Sequence, residues 1–124
     1  MSMHQLEPGE VFRVVLFESD VPGVSRLFVH VALLNEKNLL QIGYFDIGPA
    51  VEERFGDSDL EWDLYLAEPE QQELARALKF DPEQPGWQRA VAEALKERFP
   101  ESRGFHDIRK FLTRKKIAFE EFMY

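Results

Sequence analysis

Leu60, Trp62, Leu64 and Leu66 alternate with Glu61, Asp63, Tyr65 and Ala67, the period of a strand with one apolar and one polar face. On that pattern Asp59, Glu61 and Asp63 line the polar, exposed face while the alternate residues anchor the strand to a core. Earlier in the chain, Val11 to Glu18 is rich in Val and Phe and reads as a strand closed by the turn signal Asp20 to Gly23. From Arg26 to Leu34, residues Leu27, Val29, Val31 and Leu33 fall on one face and Arg26 and His30 on the other. Glu36 to Asn38 makes a second turn and Leu39 to Phe45 a third strand. Connections this short join antiparallel neighbours, so a three-stranded meander is expected.

Helical spacing takes over in the second half. A short helix is expected from Gly48 to Gly56, with Pro49 at its start and Glu52 and Glu53 near the positive end of its dipole. Three longer helices are predicted at Pro69 to Phe80, Gly86 to Phe99 and Ser102 to Lys115. Trp87, Val91, Ala94 and Leu95 form the apolar stripe of the second; Phe105, Ile108, Phe111 and Leu112 form that of the third. Ile117 to Tyr124 reads as a final strand, with Phe119 and Phe122 on opposite faces. The whole, residues 1–124, is expected to be one α+β domain: an antiparallel sheet of about five strands covered by three helices.

Composition agrees with a folded domain. The chain has 124 residues, 44% of them hydrophobic, with eleven Phe and two Trp, enough to bury a core. It has no cysteine, which removes disulfides, thiolate zinc sites and cysteine nucleophiles and fits a reducing compartment. Met1 to Pro8 lacks a basic segment followed by an apolar stretch, and no run reaches membrane-spanning length. The expectation is a cytoplasmic protein.

Charge changes the picture more. Ten carboxylates lie between Asp46 and Glu73 (Asp46, Glu52, Glu53, Asp57, Asp59, Glu61, Asp63, Glu68, Glu70, Glu73) against one cation, Arg54. The formal charge of residues 1–45 is −2, of 46–73 −9 and of 74–124 +3, within a total of −8. The chain is dipolar.

Candidate chemistry is sparse. The serines occur in no nucleophile elbow or triad-like motif. His4, His30 and His106 are scattered and read as surface or satisfied histidines. Asp57, Asp59, Glu61 and Glu68 match positions one, three, five and twelve of a calcium loop, but Trp62 stands where the loop needs glycine, and the strand periodicity contradicts it. Carboxylates grouped on one exposed face offer no asymmetry of burial of the kind glycoside hydrolysis uses. Arg103, Arg109, Lys110, Arg114, Lys115 and Lys116 form a basic stretch with Phe105 and Phe111 among them, but those rings belong to the apolar stripe and read as core rather than as base-stacking platforms. No enzyme activity, metal, cofactor or membrane partner is expected, and nucleic-acid binding through this basic helix is the less favoured alternative.

Two resemblances bear on function. Phe45 to Trp62 and Ile108 to Glu120 resemble segments of a group of small bacterial proteins of uncharacterised function; the likeness covers residues 42–66 and 105–122 and implies an α+β fold, not an activity. In general plan the chain also resembles immunity proteins of bacterial toxin systems, including contact-dependent inhibition: small, acidic, cysteine-free α+β proteins that block a basic toxin nuclease. That resemblance implies a basic protein partner. The residues expected to face it are Glu52, Glu53, Asp57, Asp59, Glu61 and Asp63, with Tyr65 as an anchor. The competing class is a self-associating or regulatory protein, a homodimer using exposed Phe12, Phe28 or Phe122 as its contact surface.

Overall fold

A computed structural model describes residues 6–23, 25–48 and 59–124. The order of elements is β1 (Glu10–Val21), β2 (Ser25–Leu34), a 3-10 turn (Glu36–Asn38), β3 (Leu40–Ile47), β4 (Asp59–Leu66), α1 (Glu68–Ala77), α2 (Trp87–Arg98), α3 (Gly104–Arg114) and β5 (Glu120–Met123). The five strands form one antiparallel sheet in the order β1-β2-β3-β4-β5, and the three helices pack on one of its faces. This is the α+β architecture expected from the periodicity. The short helix expected from Gly48 to Gly56 lies outside the described residues.

Register explains which residues the helices cover. Reading across the sheet, Val14, Val31, Ile42 and Leu64 stand side by side, as do Phe12, Leu33, Leu40 and Leu66 in the adjacent row. All eight are buried, and they meet Leu74 and Ala75 of α1, Val91, Ala92 and Leu95 of α2, and Phe105, Ile108, Phe111 and Leu112 of α3. Burying a side chain of this kind is worth about 1.5–3 kcal/mol, so these rows are the main source of stability. β1 carries two register irregularities, between Glu10 and Phe12 and between Val15 and Phe17. The second lets both Leu16 and Phe17 pack toward the core.

Helix ends follow from local hydrogen bonding. α1 stops in a Schellman turn: the Phe80 N–H donates to the Ala75 carbonyl at 2.8 Å and the Lys79 N–H to Arg76 at 3.1 Å. α3 closes the same way, with Ile117 donating to Leu112 and Lys116 to Thr113. Both turns place a lysine in left-handed backbone, Lys79 at φ 70° and Lys116 at φ 58°. The second turn directs Ile117 into the core and swings the chain back toward the sheet margin, where β5 pairs with β4.

One buried polar group ties three elements together. Gln71, 1% exposed, donates through Nε2 to the carbonyls of Asn38 (2.7 Å) and Leu66 (2.8 Å), and its Oε1 accepts from Gln88 Nε2 at 2.6 Å. The β2–β3 turn, the end of β4 and α2 thus meet on α1 through a fully satisfied amide. Gln71→Leu keeps the volume but strands two carbonyls and the Gln88 amide; it should cost about 2–3 kcal/mol in urea denaturation, whereas a loss below about 0.5 kcal/mol would contradict the network.

Candidate functional site

The face of the sheet opposite the helices carries the polar residues in three rows, two of which cross all five strands and the third four. The first runs Arg13, Ala32, Gln41, Tyr65, Glu120; the second Val15, His30, Gly43, Asp63, Phe122; the third Glu18, Phe28, Phe45, Glu61, with Tyr124 beyond the end of β5. Three of the expected partner-facing residues, Glu61, Asp63 and Tyr65, therefore share one face. Asp59 lies in the row beyond, opposite Ile47, and is exposed. Glu52, Glu53 and Asp57 lie outside the described residues.

Asp63 departs from expectation. Alternation put it on an exposed stripe, but it is only 2% exposed, whereas Glu61 and Asp59 face solvent. Its neighbours are the reason. Gln41 Nε2 donates to Asp63 Oδ1 at 3.2 Å and lies 3.3 Å from the Tyr65 hydroxyl, and Phe122 pairs directly opposite on β5. Burial, then the charge and hydrogen bond of the Glu61 side chain, favour the protonated carboxyl, raising the Asp63 pKa to about 7 against a smaller opposing effect from Gln41. Burial and the charge of Asp63 also raise the Tyr65 phenol to about 12, so it is neutral and able to donate a hydrogen bond.

His30 is the residue that sequence reasoning misread. It is not a surface histidine, being 8% exposed, and among the described residues neither ring nitrogen has a hydrogen-bond partner. The ring stacks on Phe28, with centroids 5.2 Å apart, and lies over Gly43 on the next strand. A Cβ at position 43 would fall 2.2 Å from His30 Cε1, 2.8 Å from Nε2 and 2.9 Å from Nδ1. Glycine is therefore required there by close approach, and a glycine inside the apolar run Ile42 to Tyr44 was the available signal. Burial, followed by the Arg13 guanidinium, lowers the His30 pKa to about 4; Gln41 and Glu10 oppose this, although Gln41 makes no well-formed hydrogen bond to the ring. Arg13 itself pairs with Glu10 at 2.7 Å and lies 5.6 Å from the Phe28 ring centroid.

Toward the sheet margin the same face becomes exposed and aromatic. The Tyr65 and Phe122 rings meet edge-on at 5.7 Å and Phe122 stacks with Tyr124 at 6.5 Å. Phe122 is 44% exposed and Tyr124 67%. Glu61, Glu120 and Asp59 stand exposed around this ladder. Of the three phenylalanines considered as a self-association surface, only Phe122 is exposed: Phe12 faces the helices and Phe28 lies beneath Arg13 and His30, both buried.

The basic stretch lies on the other side of the sheet. Phe105 and Phe111 are core residues, as the stripe indicated. Arg109 is bound by both carboxylate oxygens of Glu121, and its guanidinium lies 5.7 Å from Trp62 and 5.8 Å from Phe119. Arg98 and Lys115 both lie over Phe111. These cations stabilise aromatic packing and a helix C-terminus. His106 sits among Tyr44, Trp62 and Phe105, and burial lowers its pKa.

Among the described residues no group of three or more His, Asp or Glu side chains is placed to hold a metal ion, and no helix is long and apolar enough to cross a membrane. Two clefts lie away from Asp63: one of about 430 Å³ includes Phe12, Pro85 and Trp87, and one of about 330 Å³ follows the β1 edge beside Arg89 and Lys96. Comparison of the chain with protein-family models, with curated proteins and with solved structures finds no match.

Two predictions follow from the buried rows. Gly43→Ala should destabilise the fold by about 2–3 kcal/mol through overpacking, and much of that loss should vanish in a His30→Ala background; strictly additive losses would contradict the close approach. The second concerns pH. His30 stays neutral in the folded state while the unfolded chain takes up a proton near pH 6.5, so its contribution is complete above pH 6.5 and lost as pH falls toward about 4. Asp63 has the opposite sign: the folded state keeps its proton to about pH 7 and the unfolded chain releases it near 3.8, so stability declines as pH rises through that interval. The two slopes oppose each other between about pH 4 and 6.5. Asp63→Asn removes one of them, and the variant's stability should climb with pH more steeply than the parent's, by up to about 1.4 kcal/mol per pH unit. Urea denaturation across that range measures it, and an unchanged slope would show that Asp63 is ionised normally.

Proposed function

We propose that this chain is an acidic protein-binding module that holds a basic protein, of the class of a bacterial toxin nuclease, against the β4–β5 margin of its sheet, in the manner of an immunity protein. The observation that carries this reading is the ladder of half-buried Tyr65 and exposed Phe122 and Tyr124, set among the exposed carboxylates Asp59, Glu61 and Glu120. Aromatic rings bring large contact area at low side-chain entropy cost, and their faces attract Arg and Lys; carboxylates beside them accept the same cations' hydrogen bonds. A chain of net charge −8 also draws a basic partner by long-range attraction, which raises the association rate. Occlusion of the nuclease's nucleic-acid site would then be both steric and electrostatic, with no catalytic step on this chain. Asp63 beneath the ladder supports the same reading, because burial raises its pKa to about 7 and a cation arriving beside it favours the ionised form, turning a buried acid into a counter-charge.

The test is calorimetric titration against basic nuclease domains of bacterial toxins, together with co-expression to measure protection of the host. Tight binding and protection are expected. Asp59→Lys combined with Glu61→Lys and Glu120→Lys should weaken binding at least a hundredfold, about 3 kcal/mol, with the circular dichroism spectrum unchanged. Unaltered affinity would refute the siting.

A further inference from the structure

The sheet has two edges, and they differ. β1, at one end, is interrupted by two register irregularities, a common device for making an edge unsuitable for further pairing. β5, at the other, is regular over its four residues and presents three consecutive exposed apolar side chains, Phe122, Met123 and Tyr124, with Tyr124 just beyond the strand. Glu61 and Tyr124 exchange both backbone hydrogen bonds, at 2.7 and 3.4 Å. In an antiparallel ladder such pairs alternate, so Glu120, Phe122 and Tyr124 turn their N–H and C=O groups toward β4. Glu121 and Met123 turn theirs outward, and among the described residues no strand pairs with them.

We infer that the outer edge of β5 accepts an extended basic segment of the partner as a sixth strand. This rests on the proposed binding of a basic protein and names the mode of that binding. The choice of occupant follows from charge and side-chain alternation. A strand added beside β5 projects alternate residues onto the face holding Glu61, Glu120 and the Tyr65–Phe122–Tyr124 ladder, where Lys or Arg is complemented. Its remaining residues project beside Met123, where small apolar side chains fit. On that second face Glu121 is already neutralised by Arg109, so the demand for cations is confined to one face of the incoming strand. A second copy of this chain is the poorer occupant. Each copy carries −8, and pairing β5 with β5 would bring two acidic margins together.

The probe is a synthetic hexapeptide of alternating Lys and Val, with a peptide of three Lys followed by three Val as its control, added to the full chain labelled with nitrogen-15. Hydrogen exchange at the Glu121 and Met123 amides should slow by about tenfold or more at saturation with the alternating peptide, while the Phe122 and Tyr124 amides, already bonded to β4, change little. Met123→Pro deletes one outward donor at a position where an edge strand tolerates proline, and should weaken the alternating peptide by about tenfold or more. Peptide binding without protection of those two amides would overturn the edge mode and leave the acidic face as the site. Slow exchange at Glu121 and Met123 that depends on protein concentration, with no peptide present, would overturn it in favour of a second copy. Failure of the peptide to bind, while a basic toxin nuclease domain binds and its binding is lost on charge reversal, would also overturn it. Failure of the toxin domain itself would instead remove the reading on which the inference rests.

Discussion

The pairing register of β2 is the constraint on which the remaining structure depends. Val31 is flanked by Val14 and Ile42, and that alignment sets every residue of the central strands on one face or the other. A slip of one residue would exchange the faces, turning Val29, Val31 and Leu33 away from the helices and His30 and Arg26 toward them. The helices add no specificity of their own until this is settled, because their stripes are apolar and need an apolar surface of matching width. The buried rows Phe12 to Leu66 and Val14 to Leu64 provide it.

The same register creates an unusual second face. Its central row combines an imidazole without a hydrogen-bond partner among the described residues, a glycine that makes room for it and a carboxyl whose pKa is raised to about 7. Burial makes the charged form of both the imidazole and the carboxyl costly. The oppositely signed proton linkages of His30 and Asp63 then offset one another across mildly acidic pH. Exposure on this face is graded: His30 and Asp63 are buried, while Glu61, Glu120 and Asp59 are exposed. The aromatic ladder marks the boundary, at the β4–β5 margin of the sheet.

Much of the fold was legible in the chain because period-two and helical spacing are properties of consecutive residues. β4 and the three long helices emerged within a few residues of their ends, and Phe105 and Phe111 were correctly read as core. What alternation could not show is how deeply each polar residue sits, because that depends on strands distant in sequence. Asp63 looked like Asp59 and Glu61, yet Gln41 and Phe122 bury it. His30 looked isolated, yet Gly43 admits its ring from the neighbouring strand. Phe12 adjoins Arg13, and Phe28 shares its alternation face with Arg26 and His30, so both were open to being read as surface; the sheet turns one toward the helices and places the other under Arg13. The ladder was likewise hidden, since Tyr65 and Phe122 are joined only by the pairing of β4 with β5.

Recognition is proposed at the β4–β5 margin, whereas Arg109 and Lys115 of the basic stretch pack against aromatic rings. Mapping backbone chemical-shift changes on the nitrogen-15-labelled chain, as a basic toxin nuclease domain is added, distinguishes the two surfaces directly. The largest changes are predicted at Glu61, Tyr65, Glu120, Phe122 and Tyr124, with Lys110, Arg114 and Lys115 undisturbed. Changes centred on the exposed face of α3, with the aromatic ladder unmoved, would contradict it.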